Sequence, residues 1–345
     1  MAPQTILLTG GAGFVGANFA RLVLRETDHR VVVFDKLTYS GNLENLDGLE
    51  AAHGDRYAFV RGDVCDRPAV DAVLDEHRPD AIVHMAAESH VDRSIIDATP
   101  FVRTNVIGTQ TIVDAIRARL SSERLVHVST DEVYGDLPLD RPELFFNESS
   151  PLAPSSPYAA SKAGSDLVVL SAHRTFGIDA VVTRGSNNFG PYQYPEKVIP
   201  LFATNLIDGL KVPLYGDGQN VRDWIHVDDH NAGVLAALER GAAGEVYNLG
   251  GKNERSNLEL TRELLRCFGV GEEMIDHVAD RPGHDRRYSI DISKATRELG
   301  WSPASDRWED ALESTVRWYR ENEAWWRPLK SGEHRAFYER QYGRR

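Results

Sequence analysis

The chain has 345 residues, 41% of them hydrophobic and 26% charged, which is the balance of an ordinary globular protein with one or two lobes. Its net charge of −13 argues against nucleic acid and against an anionic membrane surface as partners. No apolar run approaches the roughly 18 residues that a membrane span needs, and the N-terminus lacks the pattern of a signal peptide.

Cysteine and histidine usage narrows the class of protein further. The two cysteines, Cys65 and Cys267, lie far apart in dissimilar surroundings, which predicts reduced thiols rather than a disulfide framework. Twelve histidines are present, but no pair combines helical ligand spacing with a carboxylate, so we expect no metal site. We therefore expect a cytoplasmic protein.

Short apolar runs alternate with helical stretches through the first half of the chain. Helical stretches are predicted after Phe14 and over residues 68–76 and 104–120. The apolar runs between them predict buried strands at residues 5–9, 31–34, 57–60, 81–85 and 125–128. This alternation predicts an α/β fold with a doubly wound, Rossmann-like parallel sheet.

Beyond residues 180–183 the alternation decays, and prolines and glycines become frequent. This change indicates a second, smaller α/β lobe that binds the substrate. Residues 246–249 read as a strand returning to the sheet, and residues 308–326 as one aromatic-rich amphipathic helix. We expect a dinucleotide-binding domain over 1–185 with a return segment at about 222–250, and a substrate lobe over 186–221 and 251–345.

A glycine-rich loop follows the first predicted strand and opens the first predicted helix. Two overlapping spacings fit it: Gly10, Gly13 and Gly16 form a three-spaced series, while Gly11, Gly13 and Gly16 match the dinucleotide-binding fingerprint. Missing Cβ atoms permit the tight turn and let backbone N–H groups approach a pyrophosphate at the helix N-terminus. In isolation such a loop is often only a turn.

Acidic residues at two strand ends support the dinucleotide interpretation. Asp35 ends the second predicted strand 19 residues after Gly16, where a carboxylate accepts hydrogen bonds from a ribose and repels a 2′-phosphate. NAD is therefore favoured over NADP, although the adjacent Lys36 weakens that argument. Asp63, after the third strand, is a weaker candidate for binding the adenine amino group.

Tyr158 and Lys162 stand four residues apart on a predicted helix that starts at Pro157. A free tyrosine has a pKa near 10, so a tyrosine that acts as a base needs a nearby positive charge, which Lys162 supplies. The bare pattern is common and is usually a surface pair. Its position downstream of a dinucleotide loop makes a redox role the better interpretation.

Thr130, Asp131 and Glu132 follow the fifth predicted strand directly. The carboxyl ends of strands are where open α/β sheets place ligands, so both carboxylates and the Thr130 hydroxyl are candidates for contact with one substrate. Without the neighbouring motifs, the same residues would read as a solvated acidic turn.

With these motifs, the chain resembles the extended short-chain dehydrogenases/reductases, and among them the family of nucleotide-sugar 4,6-dehydratases that act on dTDP-glucose. Further matching strings run in order from residue 5 to about residue 290: 35–39 with Gly41 and Asn42, 86–94, 130–134, 186–188, 195–197, 222–224 and 281–285. The resemblance therefore spans nearly the whole chain.

The resemblance implies a three-step reaction. Tyr158 takes the proton from the glucose C4 hydroxyl while NAD+ accepts the hydride. Glu132 then removes the C5 proton and a protonated Asp131 donates to the C6 hydroxyl, so that water leaves and hydride returns to C6. Two adjacent carboxylates suit this scheme because like charges push their pKa values apart, leaving one ionised and one protonated.

The resemblance also assigns binding residues by position. For NAD it implies Gly10, Gly13, Phe14, Val15, Gly16, Asp35, Lys36, Leu37, Thr38, Asp63, Val64, Met85, Ala86, Ala87, Ser89, Thr104, Tyr158, Lys162 and Asn188. For the anionic nucleotide sugar, dTDP-glucose, it implies Ser89, Thr130, Asn187, Lys197, Val198, Tyr215, Arg222, Asn257, Arg281 and His284. It further implies a homodimer formed by packing helices, with those after Thr104 and Tyr158 as candidates.

Two alternatives stay open. The first is another nucleotide-sugar enzyme, a 4-epimerase or a decarboxylase, which also uses the tyrosine-based redox step. The second is a non-catalytic NAD-binding sensor that keeps the fold, which the intact Tyr158, Lys162, Asp131 and Glu132 disfavour. Which base the nucleotide carries rests on the resemblance alone.

Overall fold

A computed structural model describes residues 3–119, 123–280, 283–304 and 308–330. Within them, three sheets account for the β-structure, and the largest has seven strands. In chain order the strands are β1 Thr5–Thr9, β2 Arg30–Asp35, β3 Tyr57–Arg61, β4 Ala81–His84, β5 Arg124–Thr130, β6 Ala180–Gly185, β7 Asn187–Phe189, β8 Val212–Tyr215, β9 Val221–His226, β10 Val246–Leu249, β11 Glu254–Ser256 and β12 Ile275–Val278.

The large sheet is parallel throughout, in the order β10-β6-β5-β4-β1-β2-β3. Its central strands are continuous apolar runs that are buried on both faces, as expected where helices cover a parallel sheet. The strand order reverses between β1 and β4, and a crevice forms outside the carboxyl ends of strands at such a point. The doubly wound, Rossmann-like sheet predicted from the sequence is confirmed.

Thirteen α-helices lie within the described ranges. They are α1 Phe14–Glu26, α2 Leu49–His53, α3 Arg67–His77, α4 Val91–Ile96, α5 Thr99–Phe101, α6 Thr109–Arg119, α7 Pro157–Phe176, α8 Val198–Ile207, α9 Val227–Arg240, α10 Asn257–Phe268, α11 Ser293–Leu299, α12 Trp308–Glu321 and α13 Glu323–Leu329. None of these helices is both long enough and apolar enough to cross a lipid bilayer.

The helix predicted over residues 104–120 is only partly regular. A π-helical stretch occupies Val102–Gly108 and α6 begins after it, while Leu120 lies outside the described residues. Asn105 explains the wide turn, because its side-chain amide bonds both backbone groups of Glu88 at 2.9 and 3.0 Å and donates to Ser161 Oγ at 2.8 Å. The π-helical stretch carries Thr104 into the wall of the main cavity.

The single aromatic helix predicted over residues 308–326 is wrong, because the chain forms α12 and α13 with a break at Asn322. Asn322 leaves the helical conformation, with φ −117° and ψ 40°, and its side-chain amide donates to Trp318 O at 2.8 Å beside the helical bond from its backbone N–H. Such local side-chain bonding is unfavourable in a helix interior. The break turns Trp325 and Trp326 inward, where they pack with Tyr319.

The second region holds the two small sheets. One has the order β11-β9-β7, and the other pairs β12 with β8. A separate apolar core packs α8, α10 and α12 around them. The return strand β10 joins the large sheet beside β6, and α11 also packs against the large sheet's core through Ala295 and Leu299.

Candidate active site

Two adjoining cavities open at the carboxyl ends of the large sheet. The first has a volume of about 330 Å³ and the second a volume of about 170 Å³. They share one wall, which consists of Glu132, Asn187, Glu196, Lys197, Val198 and Trp224. A molecule in one cavity therefore lies against a molecule in the other.

The glycine loop forms the floor of the first cavity. Gly10 has a φ of +72°, and a Cβ atom there would lie 2.6 Å from Ala86 N, while a Cβ on Gly16 would lie 2.4 Å from Gly10 O. Gly10, Gly13 and Gly16 line the cavity, whereas Gly11 packs against Val33. The three-spaced series therefore faces the cavity, and Gly11 lets the loop pack closely against β2.

The N-terminus of α1 is open toward this cavity. Its N-cap, Gly13, carries no side chain, so no side-chain cap occupies the first-turn N–H groups of Phe14, Val15 and Gly16. Phe14, Val15 and Gly16 all line the cavity. Free N–H groups at the positive end of a helix are the donors that a pyrophosphate requires, so the loop fits a dinucleotide.

Asp35 ends β2 at the edge of the first cavity. Its carboxylate accepts from Ala12 N at 3.0 Å and from Leu37 N at 2.8 Å, which ties the acid to the glycine loop. Each carboxylate oxygen keeps a lone pair for a ribose hydroxyl. Burial raises the pKa of Asp35 against the opposing effect of those two N–H groups. The Lys36 ammonium lies 3.5 Å from Asp63 Oδ2, so this cation has a carboxylate partner of its own.

Most residues predicted for the cofactor line the first cavity. Two do not: Leu37 donates its N–H to Asp35, and Asp63 accepts from Cys65 N at 2.9 Å while its neighbours Gly62 and Val64 reach the wall. The predicted residues that line the cavity are Gly10, Gly13, Phe14, Val15, Gly16, Asp35, Lys36, Thr38, Val64, Met85, Ala86, Ala87, Ser89, Thr104, Tyr158, Lys162 and Asn188.

The tyrosine–lysine pair lies on the first turns of α7, where Pro157 occupies a starting position and the Ser156 hydroxyl accepts from Ala159 N. Both side chains are buried and both line the first cavity. Burial and the Glu132 charge raise the pKa of Tyr158 above its ordinary value. Burial also lowers the pKa of Lys162, to about 8, and the Lys162 ammonium donates to Val128 O at 2.9 Å.

The acidic pair follows β5 in a 3₁₀ turn, Asp131–Tyr134. Both residues line the first cavity, and only Glu132 also lines the second. Asp131 is 2% exposed, and Glu132 lies in the wall between the two cavities. Thr130 joins them, because its hydroxyl donates to Asp131 Oδ1 at 3.4 Å and accepts from Glu132 N at 3.3 Å. Burial, followed by the Glu132 charge, raises the pKa of Asp131 well above its ordinary value.

The second cavity collects the residues predicted for the substrate from six separate segments. Arg222 is 5% exposed, lies 4.2 Å over the Tyr288 ring, and donates to the carbonyl of Asp285 at 2.9 Å. Arg281 lies outside the described residues. Ser89 and Thr130 line the first cavity instead, and the predicted residues around the second are Asn187, Lys197, Val198, Tyr215, Arg222, Asn257 and His284.

Sequence reasoning missed several residues of these walls. The buried Glu196 lies between the cavities and bonds Arg93 Nε at 3.2 Å, and the motif 195–197 that contains it was assigned only through its lysine. Asp92 accepts from the Tyr215 hydroxyl at 3.1 Å and lines the second cavity. No local pattern singles out Asp92, because it acquires this position only when α4 and β8 meet.

Comparisons with known proteins agree with this geometry. The family model described as GDP-mannose 4,6 dehydratase matches residues 7–311. A dTDP-glucose 4,6-dehydratase from Streptomyces niveus is 55% identical over 332 residues, covering 94% of this chain and 96% of that protein. The crystal structure of the dTDP-glucose 4,6-dehydratase of Streptomyces venezuelae, solved with NAD bound, is 52% identical, with a TM-score of 0.90 and coverage of 94% of this chain and 100% of that one.

An epimerase shares the fold at lower identity. The UDP-glucose 4-epimerase of Thermotoga maritima is 29% identical, with a TM-score of 0.83 over 92% of this chain and 99% of that one. The fold alone therefore does not separate dehydration from epimerisation. The level of sequence identity does separate them, since the two dehydratases are 55% and 52% identical to this chain. The chain belongs to the GDP-mannose 4,6-dehydratase family, among its NAD-dependent dTDP-glucose 4,6-dehydratases.

Proposed function

We propose that this chain converts dTDP-glucose to dTDP-4-keto-6-deoxyglucose, with NAD held in the first cavity and the nucleotide in the second. The observation that carries the proposal is that Asp131, Glu132, Tyr158 and Lys162 all line one cavity, with Glu132 in the wall it shares with the other. A sugar at that wall meets a redox pair and an acid–base pair together. Epimerisation requires only the first pair.

The redox step depends on Tyr158 and Lys162. NAD, when bound, supplies the acceptor for the C4 hydride and the donor for its return to C6. Tyr158 removes the proton from the C4 hydroxyl oxygen, which burial alone makes unfavourable because it raises the pKa of the phenol. The Lys162 ammonium, one helical turn away, offsets this by stabilising the phenolate.

The elimination depends on the acidic pair. Burial and the Glu132 charge raise the pKa of Asp131 well above its ordinary value, which favours its protonated form and suits it to donate a proton to the leaving C6 hydroxyl. Glu132 lies in the wall that both cavities share, where the C5 proton of a bound sugar is within its reach. Thr130 bonds both residues and keeps the acid and the base on the same side of the sugar.

The test is Glu132→Gln, with the exposed Glu143→Gln as the matched control. We expect the first variant to lose about 100- to 10,000-fold in dehydration while still oxidising C4. Reduced nicotinamide then accumulates in a stopped-flow absorbance trace when dTDP-glucose is added. Glu143 pairs with Arg141 in a surface loop, so its variant should turn over like the native enzyme. Native-rate dehydration by Glu132→Gln would contradict the assignment.

The product and the nucleotide are tested separately. A 4-keto product that absorbs in alkali supports dehydration, whereas an epimer, released CO2 or unchanged substrate would contradict it. We propose dTDP as the nucleotide because the relatives of about 50% identity act on it. A panel of dTDP-, UDP-, CDP- and GDP-glucose should show the highest kcat/KM for dTDP-glucose.

We also propose that the chain forms a homodimer through the faces of α7 and the neighbouring helices. Large apolar side chains are exposed there: Ile96 at 58%, Ile107 at 52% and Leu167 at 58%. Both α4 and the π-helical stretch pack against α7. Leu167→Glu should yield monomers in analytical ultracentrifugation, while Leu210→Glu, at an exposed site on another face, should not. A monomeric native chain would refute the proposal.

The domain division stays a proposal: 1–185 with 222–250 for NAD, and 186–221 with 251–345 for the nucleotide sugar. The return strand β10 in the large sheet supports the first part, while α11 packs on the same core from within the second. We further propose a cytoplasmic location, because Cys65 and Cys267 are unpaired thiols. Fractionation of the source cells tests the location.

A further inference from the structure

A cluster of buried charged groups lies directly beneath the tyrosine–lysine pair and has no part in the function described so far. Asp166 follows Lys162 by four residues on α7, so Tyr158, Lys162 and Asp166 form a ladder along one face of the helix. Asp166 is 0% exposed. A carboxylate so deeply buried is costly unless cations balance it.

Arg184, near the end of β6, provides one of the cations. Its Nε donates to Asp166 Oδ2 at 2.9 Å, and its side chain is 3% exposed. The guanidinium also lies 4.8 Å over the ring of Tyr134, which fixes its orientation. Burial raises the pKa of Asp166, but the Arg184 charge opposes that effect. The Arg184 ion pair therefore favours the ionised form of the Asp166 carboxylate against the effect of burial.

His127 on β5 separates the carboxylate from Lys162 without carrying charge. Its Nε2 lies 3.5 Å from Asp166 Oδ1, 3.5 Å from Lys162 Nζ and 2.9 Å from Ser165 Oγ. Ser165 uses its own hydrogen on Lys162 O at 2.7 Å, so it accepts from the His127 ring. Burial, and then the Lys162 charge, hold the pKa of His127 well below its ordinary value. A neutral Nε2–H tautomer cannot accept a proton from Lys162.

The charge balance of this cluster is uneven. Lys162 and Arg184 are cations, and Asp166 is the carboxylate that faces both from the side away from the cavity. From the other elements packed around Lys162, the charged and titratable groups are Tyr158 on α7, His127 on β5, His84 on β4, Arg184 on β6, and Asp131, Glu132 and Tyr134 in the 3₁₀ turn.

We propose that Asp166 is a positioning residue for the redox step, which acts by keeping the Lys162 side chain in its ammonium form beneath Tyr158. This inference rests on the proposed function, since it concerns the step in which Tyr158 takes the C4 proton. Burial favours the neutral form of Lys162, and the negative charge of Asp166 opposes that effect. Arg184 keeps Asp166 ionised, so an arginine on β6 controls a lysine on α7.

The test is Asp166→Asn, which keeps the shape of the side chain and removes its charge. Loss of an opposite charge lowers the pKa of a buried lysine by about 1–3 units, so Lys162 becomes neutral at lower pH. Because the pKa of Lys162 starts at about 8, we expect the single-turnover rate of C4 oxidation at pH 7 to fall about 2- to 100-fold as the ammonium fraction falls. The basic limb of its pH profile should move to lower pH, and KM for the nucleotide sugar should stay unchanged.

The matched control is Asp179→Asn. Asp179 also bonds an arginine between β5 and β6, with Arg124 Nε at 3.1 Å from its Oδ2, but at the opposite end of those strands. Its variant removes an arginine–aspartate ion pair on the same two strands, one that is partly exposed and does not touch the site. Its oxidation rate and pH profile should match those of the native enzyme. An equal change in both variants would show that Asp166 acts only through folding, and would overturn the proposal.

A double-mutant cycle with Lys162→Met completes the test. If Asp166 acts through Lys162, then Asp166→Asn has no further effect on oxidation once the lysine is gone. An equal loss of oxidation rate in both backgrounds would overturn the proposal. Asp166→Glu keeps the charge and should restore most of the rate if Asp166→Asn is poorly folded. If the native chain dehydrates no nucleotide sugar, the proposed function fails. The Asp166 variants are compared only if the native enzyme shows measurable C4 oxidation, so the two failures are distinguishable.

Discussion

The first cavity is walled by segments that follow consecutive strands of one sheet, whereas the second is assembled from short segments scattered between residues 90 and 288. In the first, backbone N–H groups of the glycine loop and one carboxylate, Asp35, face the ligand. In the second, the ligand meets side chains such as Lys197, Arg222 and His284. Backbone recognition requires a local turn, while side-chain recognition requires the tertiary fold.

The difference has a physical consequence for the reaction. Backbone donors bind the pyrophosphate that all dinucleotides share, and one carboxylate, Asp35, disfavours those that carry a 2′-phosphate. A cavity built on side chains from separate segments determines which nucleotide sugar binds, because each side chain contributes its own attraction or clash to the affinity. The proposed catalytic groups line the first cavity, with Glu132 in the wall that it shares with the second. The following variants test the separation of the two cavities, from the largest expected effect to the smallest.

The largest effect is expected from the loss of the proposed catalytic tyrosine. Tyr158→Phe removes the hydroxyl that takes the C4 proton, so kcat should fall about 100- to 10,000-fold while both ligands still bind. Tyr57→Phe, on β3 away from both cavities, is the control and should leave kcat unchanged. Rapid-quench assays of C4 oxidation provide the measurement. Normal oxidation in Tyr158→Phe would mean that another group is the base.

A smaller effect, confined to the first cavity, is expected from Gly16→Ala. The new Cβ would lie 2.4 Å from Gly10 O and 2.7 Å from Gly11 Cα, and backbone atoms cannot rotate away. The loop must shift, and we expect about 100-fold weaker NAD binding by calorimetry, since overpacking of this kind costs about 1–3 kcal/mol or more. Affinity for dTDP should change little. An equal loss for both ligands would show that the cavities are not independent.

The converse variant is Arg222→Lys in the second cavity. Lysine keeps the charge but loses the forked donors, so KM for dTDP-glucose should rise about 10-fold, the loss of one charged hydrogen bond. NAD affinity should stay at the native value. Arg262→Lys, in an exposed pair with Glu272, is the control and should alter neither constant. A change in NAD affinity in Arg222→Lys would contradict the separation.

The smallest effect concerns acid pH. Burial raises the pKa of Asp35 above its ordinary value, and a ribose hydroxyl bonds best to the ionised form. As pH falls through that raised pKa, the carboxylate gains a proton and NAD affinity should drop a few-fold, about the worth of one hydrogen bond. Asp35→Asn should bind more weakly at neutral pH and show no such drop. Fluorescence titration from pH 7 to pH 4 would measure both.

Much of the first cavity was predictable from the sequence, because its determinants are local. A buried strand, a glycine series, a helix and a strand-ending acid within about 30 residues define the loop. Local patterns also placed Tyr158 with Lys162, and Asp131 with Glu132, at the ends of predicted elements. The choice between the two glycine spacings was not local, since it depends on contacts with other strands: Gly10 lies against Ala86 and lines the cavity, while Gly11 packs against Val33 of β2.

The remainder was decided by tertiary contacts. The π-helical stretch depends on Asn105 bonding Glu88 and Ser161, and the break at Asn322 depends on an amide that competes with the helix. Neither effect changes the spacing of apolar residues, which is the pattern from which helices are predicted. Asp92, Glu196 and Asp166 are ordinary acidic residues in the sequence, and each takes its place only when distant elements meet.

The sequence by itself therefore determined the fold class and the cofactor and predicted the catalytic groups, because each rests on residues close together along the chain. The tertiary structure decided how those groups are charged. Burial lowers the pKa of Lys162 and raises that of Asp131, and the groups that act on these two residues come from β5, the 3₁₀ turn after it, α7 and β9. Desolvation and Coulomb interactions depend on distance in space, which a sequence does not record.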